Sequence, residues 1–251
     1  MQSRLSKLVG GRNAVSVLDV AGGTGIAGAA LASVLAGMGK SVKLVVADAR
    51  SGDLELAREW LRLAGVENKI GFETVVADAT RLVERVEGCF DIALLWGSSI
   101  PHFSPWSLAL IIAGIRDLQH ESSALLIDQR DLLPQILFTN TYEHLHLTSP
   151  VNEETGEGLL AVHNGYDQLR GMVQKAYYKL PGLAFVGTTP TRLWDVPSIA
   201  ATTWLFYQEV HIEAYKWRRE LKVIVAQKPR KNAPSNKELW STLPEQLEGK
   251  P

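Results

Sequence analysis

The feature that most constrains the fold is an alternation of short apolar runs with helical patterns through the first half of this 251-residue chain. The apolar runs predict five buried strands, at residues 15–20, 42–47, 70–77, 90–96 and 124–127. Helical spacing of apolar residues predicts helices between them, at 26–38, 53–64, 81–86 and 104–118. Strands that alternate with helices form a parallel sheet that is covered on both faces. The pattern therefore predicts an α/β fold.

The second half of the chain has a different pattern. The pair Asn164-Gly165 predicts a hairpin turn between strands at 159–163 and 168–180, because both residues tolerate positive φ. A further strand is expected at 184–188. We therefore predict a small antiparallel β cap at residues 139–194, inserted after the fifth strand. Residues 1–138 and 195–229 would form the main domain.

The last part of the chain predicts a helix at 198–207 and two strands at 210–217 and 221–226. The short link at 218–220 makes these strands an antiparallel hairpin. Residues 230–251 are rich in Pro, Lys, Asn and Ser, so we expect a mobile tail. Trp240 and Leu243 nevertheless offer two apolar side chains that can dock it.

Composition narrows the function classes. A formal net charge of −1 gives no general attraction to nucleic acid or to an anionic membrane. Cys89 is the only cysteine, and no Cys/His cluster has zinc spacing, so no metal site is expected. No apolar run has membrane-spanning or signal-peptide length, which predicts a cytoplasmic protein.

A glycine-rich turn follows the first predicted strand and opens the first predicted helix. Glycines there permit a tight turn and close approach of a ligand, and open parallel sheets bind ligands at the carboxyl ends of their strands. One interpretation is a dinucleotide site. Gly23-Thr24-Gly25-Ile26-Ala27-Gly28 matches G-x-G-x-x-G, and Asp48 ends the second strand.

The same turn resembles the first motif of the class I S-adenosylmethionine-dependent methyltransferases, an acid followed by x-[Gly/Ala]-x-Gly-x-Gly. Asp19, Ala21, Gly23 and Gly25 fill those positions. An acid just before the turn would repel a pyrophosphate. In the family it faces the methionine part of the cofactor, near its amino group. The charge therefore favours S-adenosylmethionine as the cofactor.

Acids recur at the ends of the next strands. By resemblance to the family, Asp48 would accept hydrogen bonds from the ribose hydroxyls, and Asp78 one from the adenine amino group, with the Ala79 amide nearby. Residues 90–97 resemble the fourth motif, and the terminal hairpin resembles the sixth and seventh strands. The resemblance implies a Rossmann-like, mostly parallel seven-stranded sheet with an antiparallel C-terminal hairpin. Residues 119–123 replace the family's Pro-Gly-Gly turn, which leaves the subfamily open.

The site residues follow from these matches. The predicted cofactor-binding residues are Asp19, Ala21, Gly22, Gly23, Thr24, Gly25, Asp48, Ala49, Asp78, Ala79, Trp96, Gly97 and Ser98. His102 is a candidate general base, or a residue that orients its loop. Arg130 is a candidate for holding a substrate carboxylate, with a salt bridge to Asp128 or Asp131 as the alternative.

The resemblance implies methyl transfer to a nitrogen or oxygen of a small molecule by in-line displacement, in a pocket closed by the cap. Two alternatives stay open. The acceptor can be a macromolecule, RNA or protein, although residues 97–103 lack the Asn/Asp-Pro-Pro-Tyr motif of nucleic-acid amino methyltransferases. The chain can also be a NAD(P)-dependent oxidoreductase that uses the Gly23-x-Gly25-x-x-Gly28 turn. The sequence does not predict the oligomeric state.

Overall fold

The computed structural model describes residues 6–131, 133, 145–148, 150–215, 218 and 220–247. Its strands form two sheets. The larger sheet contains β1 (Ala14–Val20), β2 (Ser41–Asp48), β3 (Gly71–Val76), β4 (Phe90–Leu95), β5 (Gln119–Arg130), β10 (Tyr207–Ala214) and β11 (Leu221–Pro229). The smaller sheet contains β6 (Leu145–Leu147), β7 (Gly158–Asp167), β8 (Met172–Leu180) and β9 (Ala184–Thr191).

α-Helices lie between these strands and after β11. They are α1 (Ile26–Gly37), α2 (Ser51–Glu55), α3 (Ala57–Leu63), α4 (Pro105–Asp117), α5 (Val196–Phe206) and α6 (Asn236–Ser241). Short 3₁₀ helices span Ala79–Glu84, Ile100–His102 and Glu245–Leu247. None of these helices is long and apolar enough to cross a bilayer.

The larger sheet has the strand order β10-β11-β5-β4-β1-β2-β3. The strands from β1 to β5 pair in parallel, whereas β11 runs antiparallel to both β5 and β10. This confirms the mostly parallel seven-stranded sheet and its antiparallel C-terminal hairpin. The parallel order brings the carboxyl ends of β1, β2, β3 and β4 to one edge.

Successive residues of each central strand pack on opposite faces of the sheet. In β1, fully buried Val17 belongs to the apolar cluster that contains Leu44 and Leu61, and fully buried Leu18 belongs to the cluster on the other face, which contains Phe90 and Trp194. Both faces are covered, which explains why the central strands read as continuous apolar runs. The sheet is therefore a rigid base for the residues at its edge.

The smaller sheet is antiparallel, in the order β6-β7-β8-β9. The prediction of a turn at Asn164-Gly165 was wrong, because both residues lie inside β7, where the pairing with β8 shifts register. The chain turns instead between Asp167 and Met172. There the Asp167 carboxylate accepts hydrogen bonds from the amides of Leu169 and Arg170, each at 3.0 Å. The predicted cap boundary at residue 139 lies outside the described residues.

The prediction of a mobile tail was wrong for residues 230–247, which pack against the main domain. Asn236 is only 2% exposed, and its side-chain amide donates hydrogen bonds to the carbonyls of Thr80 at 2.9 Å and Leu110 at 2.8 Å. Trp240 also donates to the Thr80 carbonyl, at 2.9 Å. Polar composition suggested mobility, but a few buried side chains anchor this segment beside the 3₁₀ helix at Ala79–Glu84.

We predict that Asn236→Ala lowers the free energy of unfolding by about 2 kcal/mol, because the hydrogen bonds of a buried amide are lost. The matched control is Lys237→Ala, since Lys237 is the exposed next residue of the same helix. Urea unfolding of both variants measures the effect. Equal stability of the two variants would show that the segment is not docked in solution.

Candidate active site

The turn between β1 and α1 has an unusual backbone. Ala21, Gly23 and Gly25 adopt φ angles of 50°, 54° and 75°. A Cβ added at Gly25 would lie 2.9 Å from the Cβ of Ala57 in α3, so this position has no room for a side chain. The turn is closed by a hydrogen bond from the Gly25 amide to the Gly22 carbonyl, at 2.8 Å. The tight turn predicted from the sequence is therefore present.

Asp19 does not lie where the sequence analysis expected it. Its side chain is fully buried beneath the turn, and Oδ2 accepts a hydrogen bond from the Gly28 amide at 2.8 Å. Oδ1 has no hydrogen-bond partner among the described residues. Burial raises the pKa of Asp19 from 3.8 to about 7, although the Gly28 hydrogen bond opposes the shift. Asp19 thus supports the turn from below and does not face the crevice.

Gly28 has a packing role that accounts for its place in the G-x-G-x-x-G pattern. A Cβ at this position would lie 2.8 Å from Asp19 Oδ2 and 2.9 Å from Leu44 Cδ1. Only a glycine lets α1 approach β1 and β2 this closely. The third glycine of the pattern therefore requires no dinucleotide.

Asp48 at the end of β2 links the turn to the following loop. Its carboxylate accepts hydrogen bonds from the Gly23 amide at 2.7 Å and from the Arg50 amide at 2.9 Å. Arg50 also pairs with Asp48 at 3.1 Å and with Asp53 at 2.6 Å. Burial alone would raise the pKa of Asp48, but the hydrogen bonds from Arg50 and Gly23 hold it below its usual value. Asp48 is therefore ionised at neutral pH.

Asp78 lies just after β3, and its Oδ1 caps the next 3₁₀ helix by accepting from the Thr80 amide at 2.8 Å. It shares a cavity of about 600 Å³ with Asp48 at the carboxyl edge of the sheet. This crevice cavity is lined by Ala21, Asp48, Ala49, Arg50, Ala77, Asp78, Ala79, Thr80, Ser99, His102, Phe103, Ser107 and Thr189. Its volume is typical of a small-molecule or cofactor site.

The loop after β4 is clamped from two sides. Asp128 in β5 accepts hydrogen bonds from the amides of Gly97 at 2.8 Å and Ser98 at 3.4 Å, and both residues have positive φ. Ser99 Oγ donates to the Ala21 carbonyl at 3.1 Å, which ties the loop to the glycine turn. Trp96 packs against the apolar core on the α1 face. The structure thus places Ser99 in the crevice cavity, whereas Trp96, Gly97 and Ser98 lie outside its lining.

His102 lines the crevice cavity and also a smaller cavity of about 260 Å³. The smaller cavity lies against the cap, and its lining includes Asp167, Arg170 and Met172. Pro190 of β9 lines the smaller cavity together with His102. Burial, followed by the positive charges of Arg50 and Lys175, lowers the pKa of His102 below its usual value. A neutral imidazole at the boundary of two cavities is suited to accept a proton.

Arg130 is not brought to this cavity. It is exposed at the end of β5, opposite Leu221 of β11, and lies outside the residues that line the crevice. The prediction that it faces a bound substrate therefore has no support from the cavity lining. Sequence analysis missed Arg50 and Thr189. Arg50 could have been found from its position two residues after Asp48, but Thr189 comes from the cap and had no signal.

Comparison with known proteins gives matches among solved structures. A methyltransferase from Clostridium acetobutylicum is 13% identical, with TM-score 0.59 over 90% of this chain and 89% of that one. The CcbJ methyltransferase from Streptomyces caelestis is 13% identical, with TM-score 0.61 over 90% and 88%. CalS10, an amino pentose methyltransferase from Micromonospora echinaspora, is 14% identical, with TM-score 0.53 over 90% and 88%. No family model and no curated protein matches the sequence.

Likeness at these identities establishes the fold. The chain has the Rossmann-like fold of the S-adenosylmethionine-dependent methyltransferases, which confirms the resemblance found in the sequence. The cavity residues fit such a cofactor. The Asp48 and Asp78 carboxylates offer hydrogen-bond acceptors at two strand ends, and Ala21 of the glycine turn lines the cavity beside them.

We predict that Asp19→Asn changes the pH dependence of stability. Because the pKa of Asp19 is raised to about 7 by folding, the folded wild type holds a proton that the unfolded chain loses from about pH 4 upward. Wild-type stability therefore falls relative to the variant as pH rises to about 7, by up to roughly 4 kcal/mol in total, and the difference is then constant. Urea unfolding without ligand at pH 5, 6, 7 and 8 measures it, and parallel curves would contradict the assignment.

Proposed function

We propose that this protein is an S-adenosylmethionine-dependent methyltransferase that acts on a nitrogen or oxygen of a small molecule. The observation that carries the proposal is the meeting of Asp48 and Asp78 in one cavity, beside a glycine turn, on a methyltransferase fold. In this arrangement Asp48 binds the ribose hydroxyls and Asp78 accepts a hydrogen bond from the adenine amino group. The methionine part would lie beside Ala21, the residue of the turn that lines the cavity.

The sheet topology argues against a nicotinamide oxidoreductase. Dinucleotide-binding folds of the doubly wound type have the order 3-2-1-4-5-6 with parallel strands. Here an antiparallel strand, β11, is inserted between β5 and the edge strand β10. Gly28, which completes the dinucleotide pattern, is required by its contact with Asp19. The sheet order therefore differs from the dinucleotide-binding fold, and the glycine match that suggested the alternative has another explanation.

When bound, S-adenosylmethionine supplies a methyl group that is already activated by a sulfonium. The protein's task is then to align the acceptor and exclude water. Asp128 and Ser99 hold the loop after β4 in place, and this loop leads directly to His102. His102 is neutral at pH 7 because its pKa is lowered, so it can take the proton that an amine or hydroxyl acceptor loses.

The cap favours a small acceptor over a macromolecule. Thr189 of β9 completes the wall of the crevice cavity, and Pro190 borders the adjoining one. An inserted sheet that closes over the strand ends restricts access to the methyl group. CalS10, which acts on an amino pentose, shares the fold over 90% of this chain. Both observations support a pocket of small-molecule size.

The cofactor assignment is tested with a pair of glycine variants. S-adenosylhomocysteine is expected to raise the melting temperature of the wild type, and NADH and NADPH are not. Gly23→Ala is expected to weaken S-adenosylhomocysteine binding at least tenfold, because its Cβ would lie 3.1 Å from Nη2 of Arg50, a residue that lines the cavity. Gly39→Ala is the control. Gly39 has a similar φ of 76°, but it lies at the opposite end of the sheet with no atom within 4 Å of an added Cβ.

Stabilisation by a nicotinamide dinucleotide, or equal affinity of both glycine variants for S-adenosylhomocysteine, would refute the assignment.

Asp78→Asn tests the adenine contact. The asparagine side chain keeps one oxygen, which can still accept the hydrogen bond from the Thr80 amide. Its NH₂ group replaces the other carboxylate oxygen and cannot accept a hydrogen bond from the adenine amino group, which is itself a donor. We expect about tenfold weaker S-adenosylhomocysteine binding by calorimetry, with unchanged stability of the free protein. Unaltered affinity would place the adenine elsewhere.

A further inference from the structure

The 3₁₀ helix at Ala79–Glu84, which begins in the wall of the crevice cavity, is contacted by the last part of the chain. Its backbone is interrupted at Arg81, whose φ of −118° and ψ of 30° are not helical. The carbonyl of Thr80, just before this interruption, accepts hydrogen bonds from the side chains of Asn236 and Trp240, each at 2.9 Å. The Arg81 guanidinium also lies 4.1 Å from the centre of the Trp240 ring. Two side chains from the C-terminal segment therefore fix the position of Thr80.

Thr80 in turn holds Asp78. Thr80 is only 5% exposed, and its amide and its hydroxyl both donate hydrogen bonds to Asp78 Oδ1, each at 2.8 Å. Oδ2 of Asp78 has no hydrogen-bond partner within the described part of the chain, and the side chain is exposed in the crevice cavity. One oxygen is thus held in place, so the other offers a hydrogen-bond acceptor in a defined direction. A shift of Thr80 would move that acceptor.

The C-terminal segment can hold Thr80 because it is itself bound to α4. The Asn236 side chain also donates to the Leu110 carbonyl, and its backbone amide donates to the Asp117 carboxylate, both at 2.8 Å. The Arg116 guanidinium donates to the Pro234 carbonyl at 2.7 Å. Since α4 packs in the core, these contacts give the segment a firm base. The line of contacts runs from α4 through Asn236 to the cavity wall.

We propose that Asn236 and Trp240 are positioning residues for the cofactor, which hold Thr80 so that Asp78 can accept a hydrogen bond from the adenine amino group. The inference rests on the proposed binding of S-adenosylmethionine. Asn236 and Trp240 lie outside the cavity lining, so they act on the cofactor through Thr80 and Asp78. Linkage requires the converse as well: a ligand that binds to Asp78 strengthens the docking of the C-terminal segment.

The first experiment replaces the indole donor by Trp240→Phe, which keeps an aromatic ring beside Arg81. Calorimetry on the full chain compares S-adenosylhomocysteine with S-inosylhomocysteine, in which an oxo group replaces the adenine amino group. We expect the wild type to prefer S-adenosylhomocysteine. The variant should bind S-adenosylhomocysteine about threefold more weakly, as for the loss of one hydrogen bond, and should bind S-inosylhomocysteine as the wild type does. Trp204→Phe is the matched control, because Trp204 is exposed, lies outside the crevice lining and also has an arginine, Arg230, beside its ring.

A double-mutant cycle tests whether Trp240 acts through Asp78. In the Asp78→Asn background, Trp240→Phe should have no further effect on the affinity for S-adenosylhomocysteine, because the acceptor that Trp240 positions has already been removed. If Trp240 supported only the general structure, the two substitutions would instead multiply their effects on affinity.

A third readout uses the wild-type protein alone. The indole N–H resonance of Trp240 reports the docking of the C-terminal segment by its exchange with solvent. Saturation with S-adenosylhomocysteine should slow this exchange, and S-inosylhomocysteine should slow it less. The indole of exposed Trp204 should exchange at the same rate with and without either ligand.

The outcomes separate this inference from the proposed function. An unchanged affinity of Trp240→Phe for S-adenosylhomocysteine, an equal loss of affinity for both ligands, multiplied effects in the cycle, or unaltered exchange of the Trp240 indole would overturn the positioning role. Each of these results leaves the proposed function intact if the wild type binds S-adenosylhomocysteine. Failure of the wild type to bind it would instead refute the proposed function.

Discussion

The contact between the buried Asp19 carboxylate and the Gly28 amide underlies the architecture of the site. It joins the end of β1 to the first turn of α1, and Gly28 is the residue that permits this close approach. In the turn above it, the Gly23 amide donates a hydrogen bond to Asp48. The fully buried Asp19 carboxylate needs the hydrogen bond from the Gly28 amide, because burial disfavours its charged form. A hydrogen bond inside the core thus fixes the position of the turn that borders the crevice.

The loop after β4 depends on the same edge of the sheet. Its amides donate to Asp128 and its Ser99 hydroxyl to the Ala21 carbonyl, so strands β5 and β1 both constrain it. Two successive residues of this loop, Gly97 and Ser98, adopt positive φ angles. Backbone strain at such a loop persists when its surroundings determine its conformation. This arrangement delivers His102 to the boundary between the crevice and the cap.

Charge is distributed unevenly across the crevice. Carboxylates lie at the ends of β2 and β3, where a cofactor's hydroxyl and amino groups would be donors, and Thr189 borders the cavity from the cap. Arg50 bridges Asp48 and Asp53, so its charge is largely compensated at the sheet edge. The cap therefore contributes Thr189 to the wall of a crevice on a sheet whose fold the chain shares with methyltransferases of known structure.

The sequence by itself determined the central sheet, because runs of residues buried on both faces and glycines at positive φ are local signals. It also determined that Asp48 and Asp78 would meet, since the carboxyl ends of neighbouring parallel strands share one edge. Tertiary structure alone decided the direction of the Asp19 side chain, the exclusion of Arg130 from the cavity and the entry of Thr189. It also decided that Asn236 anchors the last segment. These outcomes depend on which surfaces pack together across long stretches of chain, and no local pattern encodes that choice.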